Sequence, residues 1–191
     1  MKSRNFYILI ASVVVGLSIF WLNVYAFIEL EIDYNSYIEQ QTAPDLTPIS
    51  IEGSGIKGGK RIVTVSQLKS LTFQQVFNKP FTIMNRYLNQ YTIIYSGVSL
   101  WSVLDRLDLL TRPAEQLSFQ FYAADGYKSP SPLSLVIAKN YTTSVILAYE
   151  KNGQPLLDEG PIRSVIEQSV MPEGLFSSQY CVKMLTRIVI Q

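Results

Sequence analysis

The stretch from Leu147 to Arg163, Leu-Ala-Tyr-Glu-Lys-Asn-Gly-Gln-Pro-Leu-Leu-Asp-Glu-Gly-Pro-Ile-Arg, carries the densest set of structural signals in the chain. Asn152-Gly153 is a residue pair that two-residue type I′ turns prefer, because both central positions need a positive φ. The stretch therefore predicts a strand that ends near Glu150 and folds back through Gln154.

Two further breaks follow this turn closely. Pro155 cannot donate a backbone N–H to a neighbouring strand, and Gly160-Pro161 is a second turn signal. A short apolar strand is therefore predicted at 162–166. Residues 145–149 are predicted as the strand that leads into the Asn-Gly turn.

The rest of the chain predicts many short strands and few helices. Ser99 can cap a helix whose apolar residues, at 100, 103, 104 and 107, follow the i, i+3, i+4, i+7 spacing. Gly97 is predicted to end the strand before this helix. Other strands are predicted at 49–52, 61–65, 73–84, 91–94, 117–122 and 180–190, with a short helix at 66–71 and a short helix or turn at 133–138. This pattern predicts an α+β, mostly β domain at residues 49–191.

The composition excludes several kinds of active site. The chain of 191 residues contains no histidine, which removes the usual general base at neutral pH and the commonest zinc ligand. Its single cysteine, Cys181, cannot form an intrachain disulfide and is predicted to be a small buried residue of the last strand. A net charge of +1 gives no electrostatic reason to expect a nucleic-acid partner.

The N-terminal residues are typical of a membrane anchor. Lys2 and Arg4 precede a mainly apolar run of 23 residues from Phe6 to Ile28, and about 20 such residues suffice to cross a bilayer. Basic residues before the run favour an N-terminus in the cytoplasm and a domain outside it. Residues 1–28 are therefore predicted to be a transmembrane anchor. The alternative is a cleaved signal peptide, with Val24-Tyr25-Ala26 as the cleavage site.

Residues 29–48 are polar and show no apolar period that could bury one face. They are predicted to be a linker that holds the domain away from the bilayer. The protein is therefore expected at the cell membrane, with a single pass and its C-terminal domain outside the cytoplasm.

Five short stretches together resemble the molybdopterin-binding domain of the sulfite-oxidase-type oxidoreductases. They are Tyr95-Ser96-Gly97-Val98-Ser99-Leu100, Ala124-Asp125-Gly126-Tyr127, Leu147 to Leu156, Gly160-Pro161-Ile162-Arg163 and Val182-Lys183. Their order and spacing carry the resemblance, which covers about residues 62–190 and implies a sulfite-oxidase-like fold. It also implies a domain that holds molybdenum on a pterin dithiolene, with one protein cysteine as a further sulfur ligand.

The segment that would supply this cysteine contains none. It spans residues 81–91, Phe-Thr-Ile-Met-Asn-Arg-Tyr-Leu-Asn-Gln-Tyr. Met84 is its one sulfur-containing residue, and a neutral thioether is a much poorer donor than a thiolate to a high-valent metal. Cys181 matches the last strand of the family instead, so no protein ligand to molybdenum is expected.

The resemblance assigns two cations to the phosphate of the pterin. Arg163 and Lys183 match the family's positions for this role, which needs cations and backbone amides held close together. Glu173, in the loop between them, would repel a phosphate. The alternative is that both cations face solvent or nearby carboxylates such as Asp158 and Glu159.

Two other residues are candidates for binding or modification. Asp125 would line the cofactor pocket, although a turn carboxylate most often accepts backbone N–H groups, and this structural role is the alternative. Asn140 begins the glycosylation sequon Asn-Tyr-Thr, in a predicted loop on the exported side.

Together these observations predict a membrane-anchored, extracytoplasmic domain that keeps an oxidoreductase scaffold without bound molybdenum. Such a domain would act as a binding or assembly module, with a protein partner in the membrane or cell envelope, since a fold alone implies no reaction. No catalytic residue is predicted. The first alternative is a molybdopterin-dependent oxidoreductase whose pocket is lined by Arg163, Lys183 and Asp125. The second is a subunit that docks onto a membrane redox complex.

Overall fold

The structure, a computed structural model, describes residues 47–156 and 158–191. The predicted anchor at 1–28 and almost all of the predicted linker lie outside these residues. The strands are β1 Pro48–Glu52, β2 Lys60–Thr64, β3 Gln75–Met84, β4 Gln90–Ser99, β5 Ser118–Ala123, β6 Leu133–Ser134, β7 Val145–Lys151, β8 Gln154–Pro155, β9 Arg163–Ile166 and β10 Leu185–Ile190. The helices are α1 Val65–Leu68, α2 Leu100–Arg106 and α3 Leu135–Asn140, with 3-10 turns at Ala114–Gln116, Gln168–Val170 and Ser177–Gln179.

This element order confirms the predicted α+β, mostly β domain. Within the described ranges, no helix has both the length and the apolar character needed to cross a membrane.

The first sheet is built around the last strand. Its order is β2-β1-β10-β5-β6. β10 pairs in parallel with β1, where Ser50 lies opposite Arg187, and antiparallel with β5, where Ile188 lies opposite Phe121. The centre of this sheet therefore joins the two ends of the domain.

The second sheet is built around β7, the strand that leads into the Asn-Gly turn. Its order is β3-β4-β7-β8, and β9 also pairs with β7. Leu147 and Tyr149 of β7 pack in the larger hydrophobic core, whereas Ile146 and Ala148 pack in a second core. Because successive side chains of a strand point to opposite faces, both faces of β7 are buried. This explains why its sequence is apolar without alternation.

The two cores lie on different faces of the second sheet. The larger core joins both sheets and α2, and includes Ile51, Leu104, Phe121, Leu147 and Ile188. The second core contains Val76, Phe81, Ile83, Tyr95, Ile146, Ala148, Leu156, Val165 and Cys181. The candidate site described below is built beside this second core.

The two strongest local predictions are confirmed. Asn152 and Gly153 have φ angles of 53° and 75°, as a type I′ turn requires, and Lys151 pairs with Gln154 across the turn. At α2 the backbone N–H of Ser102 donates to Ser99 Oγ over 3.3 Å, which is the predicted cap.

Gly97 does not end its strand, contrary to the prediction. β4 continues to Ser99, with a register shift at Gly97 where it pairs with β7. A Cβ atom at position 97 would lie 2.5 Å from the carbonyl oxygen of Leu147 and 2.7 Å from the Cα of Ala148. The glycine therefore permits a close approach of two backbones rather than a break.

The predicted strand at 180–190 is wrong in its first half, because β10 begins at Leu185. The Ser164 hydroxyl donates to the carbonyl oxygen of Tyr180 over 2.6 Å and accepts from the N–H of Val182 over 2.8 Å. The Ser164 side chain, from β9, thus makes the hydrogen bonds that a neighbouring strand would otherwise make with these backbone groups. Cys181 is buried, as predicted, but lies in this irregular segment and not in a strand.

Candidate functional site

The chain near Arg163 runs beside the chain near Lys183. The backbone N–H of Met184 donates to the carbonyl oxygen of Glu159 over 2.7 Å, and further backbone bonds join the same two segments. This pairing brings the two predicted cations to one carboxylate.

That carboxylate is Glu159, which binds three cations. Its Oε1 lies 2.8 Å from Lys151 Nζ and 3.3 Å from Lys183 Nζ, and its Oε2 pairs with Arg163 Nη1. Glu159 and Arg163 are 8% and 6% exposed, whereas both lysine side chains reach solvent. We call these four residues the cation cluster.

The cation cluster keeps Glu159 ionised. Burial of the carboxylate acts to raise its pKa, but the hydrogen bond from Lys151 and the charges of Arg163 and Lys183 outweigh burial. Together they lower the pKa of Glu159 to about 2. The carboxylate therefore remains an anion at neutral pH.

Arg163 has a second set of contacts on its buried side. Its Nη2 donates to the carbonyl oxygen of Cys181 over 2.8 Å, and its guanidinium carbon lies 5.4 Å from the ring centre of Tyr95. Among the described residues, neither Arg163 Nε nor the buried Tyr95 hydroxyl has a hydrogen-bond partner. Burial raises the pKa of Tyr95 to about 12, so this phenol stays neutral. Two buried polar atoms beside the cation cluster are thus unsatisfied.

The segment that would carry a metal-binding cysteine forms the tip of the β3–β4 hairpin. Asn85 Oδ1 accepts from the backbone N–H groups of Tyr87 and Asn89 over 2.9 and 3.1 Å. Leu88 has a φ of 64°, and Tyr87 and Leu88 are each 68% exposed. The tip is therefore closed by an amide side chain and presents apolar groups to solvent.

The sulfur atoms in the described ranges do not fit a metal held by a protein thiolate. The Cys181 thiol donates to the carbonyl oxygen of Ile166 over 3.7 Å and accepts from its N–H over 3.5 Å. Burial raises the pKa of Cys181, which favours the neutral thiol. Met84 supplies a thioether that accepts from Gln90 over 3.6 Å. Within residues 47–156 and 158–191, no three His, Cys, Asp or Glu side chains gather as a metal site.

The site predicted for the phosphate of the pterin is likewise occupied by a protein group. Arg163 and Lys183 do converge, as the resemblance implies, but both meet at Glu159. Pairing of both cations with a nearby carboxylate was the alternative that the sequence left open. Their assignment to a cofactor stays a prediction, and a phosphate would have to compete with Glu159.

Asp125 and Asn140 lie apart from this arrangement. Asp125 Oδ1 accepts from the backbone N–H of Tyr127 over 2.9 Å, which is the structural role expected for a turn carboxylate. In the described part of the chain, no hydrogen bond or ion pair joins Asp125 to the cation cluster. Asn140 is the exposed last residue of α3 and does not lie in the predicted loop. Its glycosylation stays a prediction.

Sequence reasoning missed Lys151 and Tyr95. Pairing between β4 and β7 sets these two residues opposite each other, and no local pattern reveals the position of Tyr95. One signal was present for Lys151: the Asn-Gly turn folds the chain back on itself, so that a charge before the turn can meet Glu159 after it.

Comparison with known proteins agrees with this fold. The family model described as the oxidoreductase molybdopterin binding domain matches residues 63–191. A similar solved structure is the sulfane dehydrogenase SoxCD from Paracoccus pantotrophus, with a TM-score of 0.55 and 18% sequence identity. The match covers 77% of this chain and 38% of the SoxCD chain, so this chain spans well under half the length of that protein. At this identity the likeness concerns the fold alone.

No curated protein matches the chain. The family match nevertheless covers more than half of the residues and includes every strand that frames the cation cluster. The chain therefore belongs to the oxidoreductase molybdopterin-binding domain family, as its resemblance to the sulfite-oxidase-type oxidoreductases predicted.

Proposed function

We propose that this protein is a membrane-anchored, extracytoplasmic domain that keeps the molybdopterin oxidoreductase scaffold without bound molybdenum. It acts as a binding or assembly module for a protein partner in the membrane or cell envelope. The proposal combines the scaffold of the described residues with the apolar run from Phe6 to Ile28.

The observation that carries the proposal is the donor chemistry of the site. Molybdenum bound in the manner of this family requires a thiolate, and the hairpin segment at 81–91 supplies amides, a guanidinium and a thioether. Cys181 is buried, protonated and hydrogen-bonded to Ile166. A scaffold without a ligand for its metal supports binding rather than redox chemistry.

The test is the metal content of the full chain, purified in detergent from cells supplied with molybdate. We expect substoichiometric molybdenum and no pterin absorption. The matched variant Cys181→Ser should give the same result, because this thiol holds no metal. One molybdenum per chain that is lost in Cys181→Ser would overturn the proposal and identify the thiol as a ligand.

The alternative is a molybdopterin-dependent oxidoreductase, which the family membership favours. It predicts stoichiometric molybdenum with pterin absorption, whether or not Cys181 is the ligand. It also predicts that substitution of Arg163 or Lys183 releases the pterin. The same purified protein therefore decides between the two functions.

The anchor is tested separately by fractionation. The full chain is expected to stay with membranes in alkaline carbonate, whereas a chain that begins at Ala43 is expected in the soluble fraction. Recovery of the full chain from the soluble fraction would contradict the anchor and leave the metal question unaffected.

A further inference from the structure

We infer that the Glu159 carboxylate occupies a cationic site that would otherwise bind a small oxyanion such as phosphate. This inference concerns the ligand state of the cation cluster: it holds whichever partner the domain binds, but it excludes a pterin phosphate held by Arg163 and Lys183 in the native protein. Its consequence for the native protein is that free phosphate and similar anions do not bind there.

The charges of the cation cluster do not balance. One carboxylate faces three cations, with Lys151 Nζ at 2.8 Å, Lys183 Nζ at 3.3 Å and Arg163 in direct contact. Asp158 precedes Glu159 in the chain but is exposed and forms no ion pair with these cations among the described residues. A cluster with this excess of positive charge retains its attraction for an anion when Glu159 is removed.

Glu159 leaves two buried polar atoms beside the cation cluster unsatisfied. Arg163 Nε and the Tyr95 hydroxyl are buried and have no partner in the described ranges. A carboxylate offers two oxygens in one plane, and here they are used by Arg163 Nη1 and the two lysines. A tetrahedral oxyanion carries more acceptor oxygens and is the ligand class that a guanidinium beside lysines prefers.

The cation cluster reaches solvent through its two lysines. The lysine side chains of the cluster are 34% and 58% exposed, whereas Arg163 lies beneath them. An anion could therefore enter past Lys183 once the carboxylate is absent. In the native chain Glu159 is covalently attached, so its concentration at the cations is high and does not depend on the anions in solution.

The test is thermal unfolding of the full chain in detergent, with phosphate compared with chloride at equal ionic strength. We expect the native protein to show no phosphate-specific change. Glu159→Ala should lower Tm by about 10 °C, because it leaves a buried arginine uncompensated, and phosphate should restore about half of the loss. Glu159→Gln should also lower Tm but show no phosphate response, since its amide still fills the space.

The matched control is Glu115→Ala, which removes the carboxylate from an exposed pair with Lys139. Phosphate should not shift its Tm. An equal phosphate effect in Glu115→Ala, or none in Glu159→Ala, would overturn the inference. If Glu159→Ala is recovered only as unfolded protein, refolding yield in phosphate against chloride is the readout, and equal yields would overturn it.

Discussion

At the scale of single residues, the cation cluster is held together by one unusual carboxylate. Glu159 is buried, yet three cations lower its pKa to about 2. The pKa of this carboxyl group is lower in the folded protein than in the unfolded chain, where it is near 4.5. The ionised group therefore contributes its full stability at pH values above 4.5. That contribution is lost as the pH falls through the folded pKa.

The prediction is that Glu159→Gln loses stability in a pH-dependent way. At neutral pH the variant should be less stable than the native protein by about 3 kcal/mol, because the difference in pKa corresponds to this free energy. The difference should shrink below pH 4.5 and vanish only below pH 2, where the native carboxyl group is also protonated. Urea unfolding at several pH values measures it. A difference that stays constant down to pH 3 would contradict the lowered pKa.

At the scale of elements, the β3–β4 hairpin holds a residue in an unfavourable backbone conformation. Leu88 has a φ of 64°, a left-handed conformation that leucine adopts at a cost and asparagine adopts readily. Its side chain is exposed, so little packing opposes a substitution.

We therefore predict that Leu88→Asn stabilises the protein by about 1 kcal/mol, because the left-handed conformation costs leucine about 1–2 kcal/mol and asparagine less. Tyr87→Asn is the matched control, because Tyr87 is equally exposed but does not have a positive φ. The control should give no gain in urea unfolding. Equal effects of the two substitutions would show that polarity at the tip, and not backbone strain, controls stability.

How much of the structure could be predicted from sequence depends on how far apart in the chain the interacting residues lie. The Asn-Gly turn and the helix after Ser99 were predictable because their determinants lie within a few residues. The segment before β10 was not, because Ser164 on a distant strand satisfies its backbone. Arg163 and Lys183 were found through a family resemblance, whereas Lys151 joined them only through strand pairing.

At the scale of the whole molecule, stability should depend on the centre of the first sheet and little on its edge. Ile188, in β10, is 0% exposed, whereas Ile62, in edge strand β2, is 55% exposed. Ile188→Ala should cost about 2–5 kcal/mol through lost contacts and a cavity. The identical change at Ile62 should stay within about 0.5 kcal/mol. Comparable losses at both positions in denaturant unfolding would contradict the described sheet order.

The central position of β10 also governs when the protein can fold during its synthesis. β10 lies between β1 and β5, so the first sheet stays divided into the pairs β1-β2 and β5-β6 until residues 185–190 have left the ribosome. The parallel pairing of Ser50 with Arg187 spans almost the whole domain, and such distant pairings form slowly. The hydrophobic core between the two sheets can thus be completed only after the last strand has been made, so folding of the whole domain follows its synthesis.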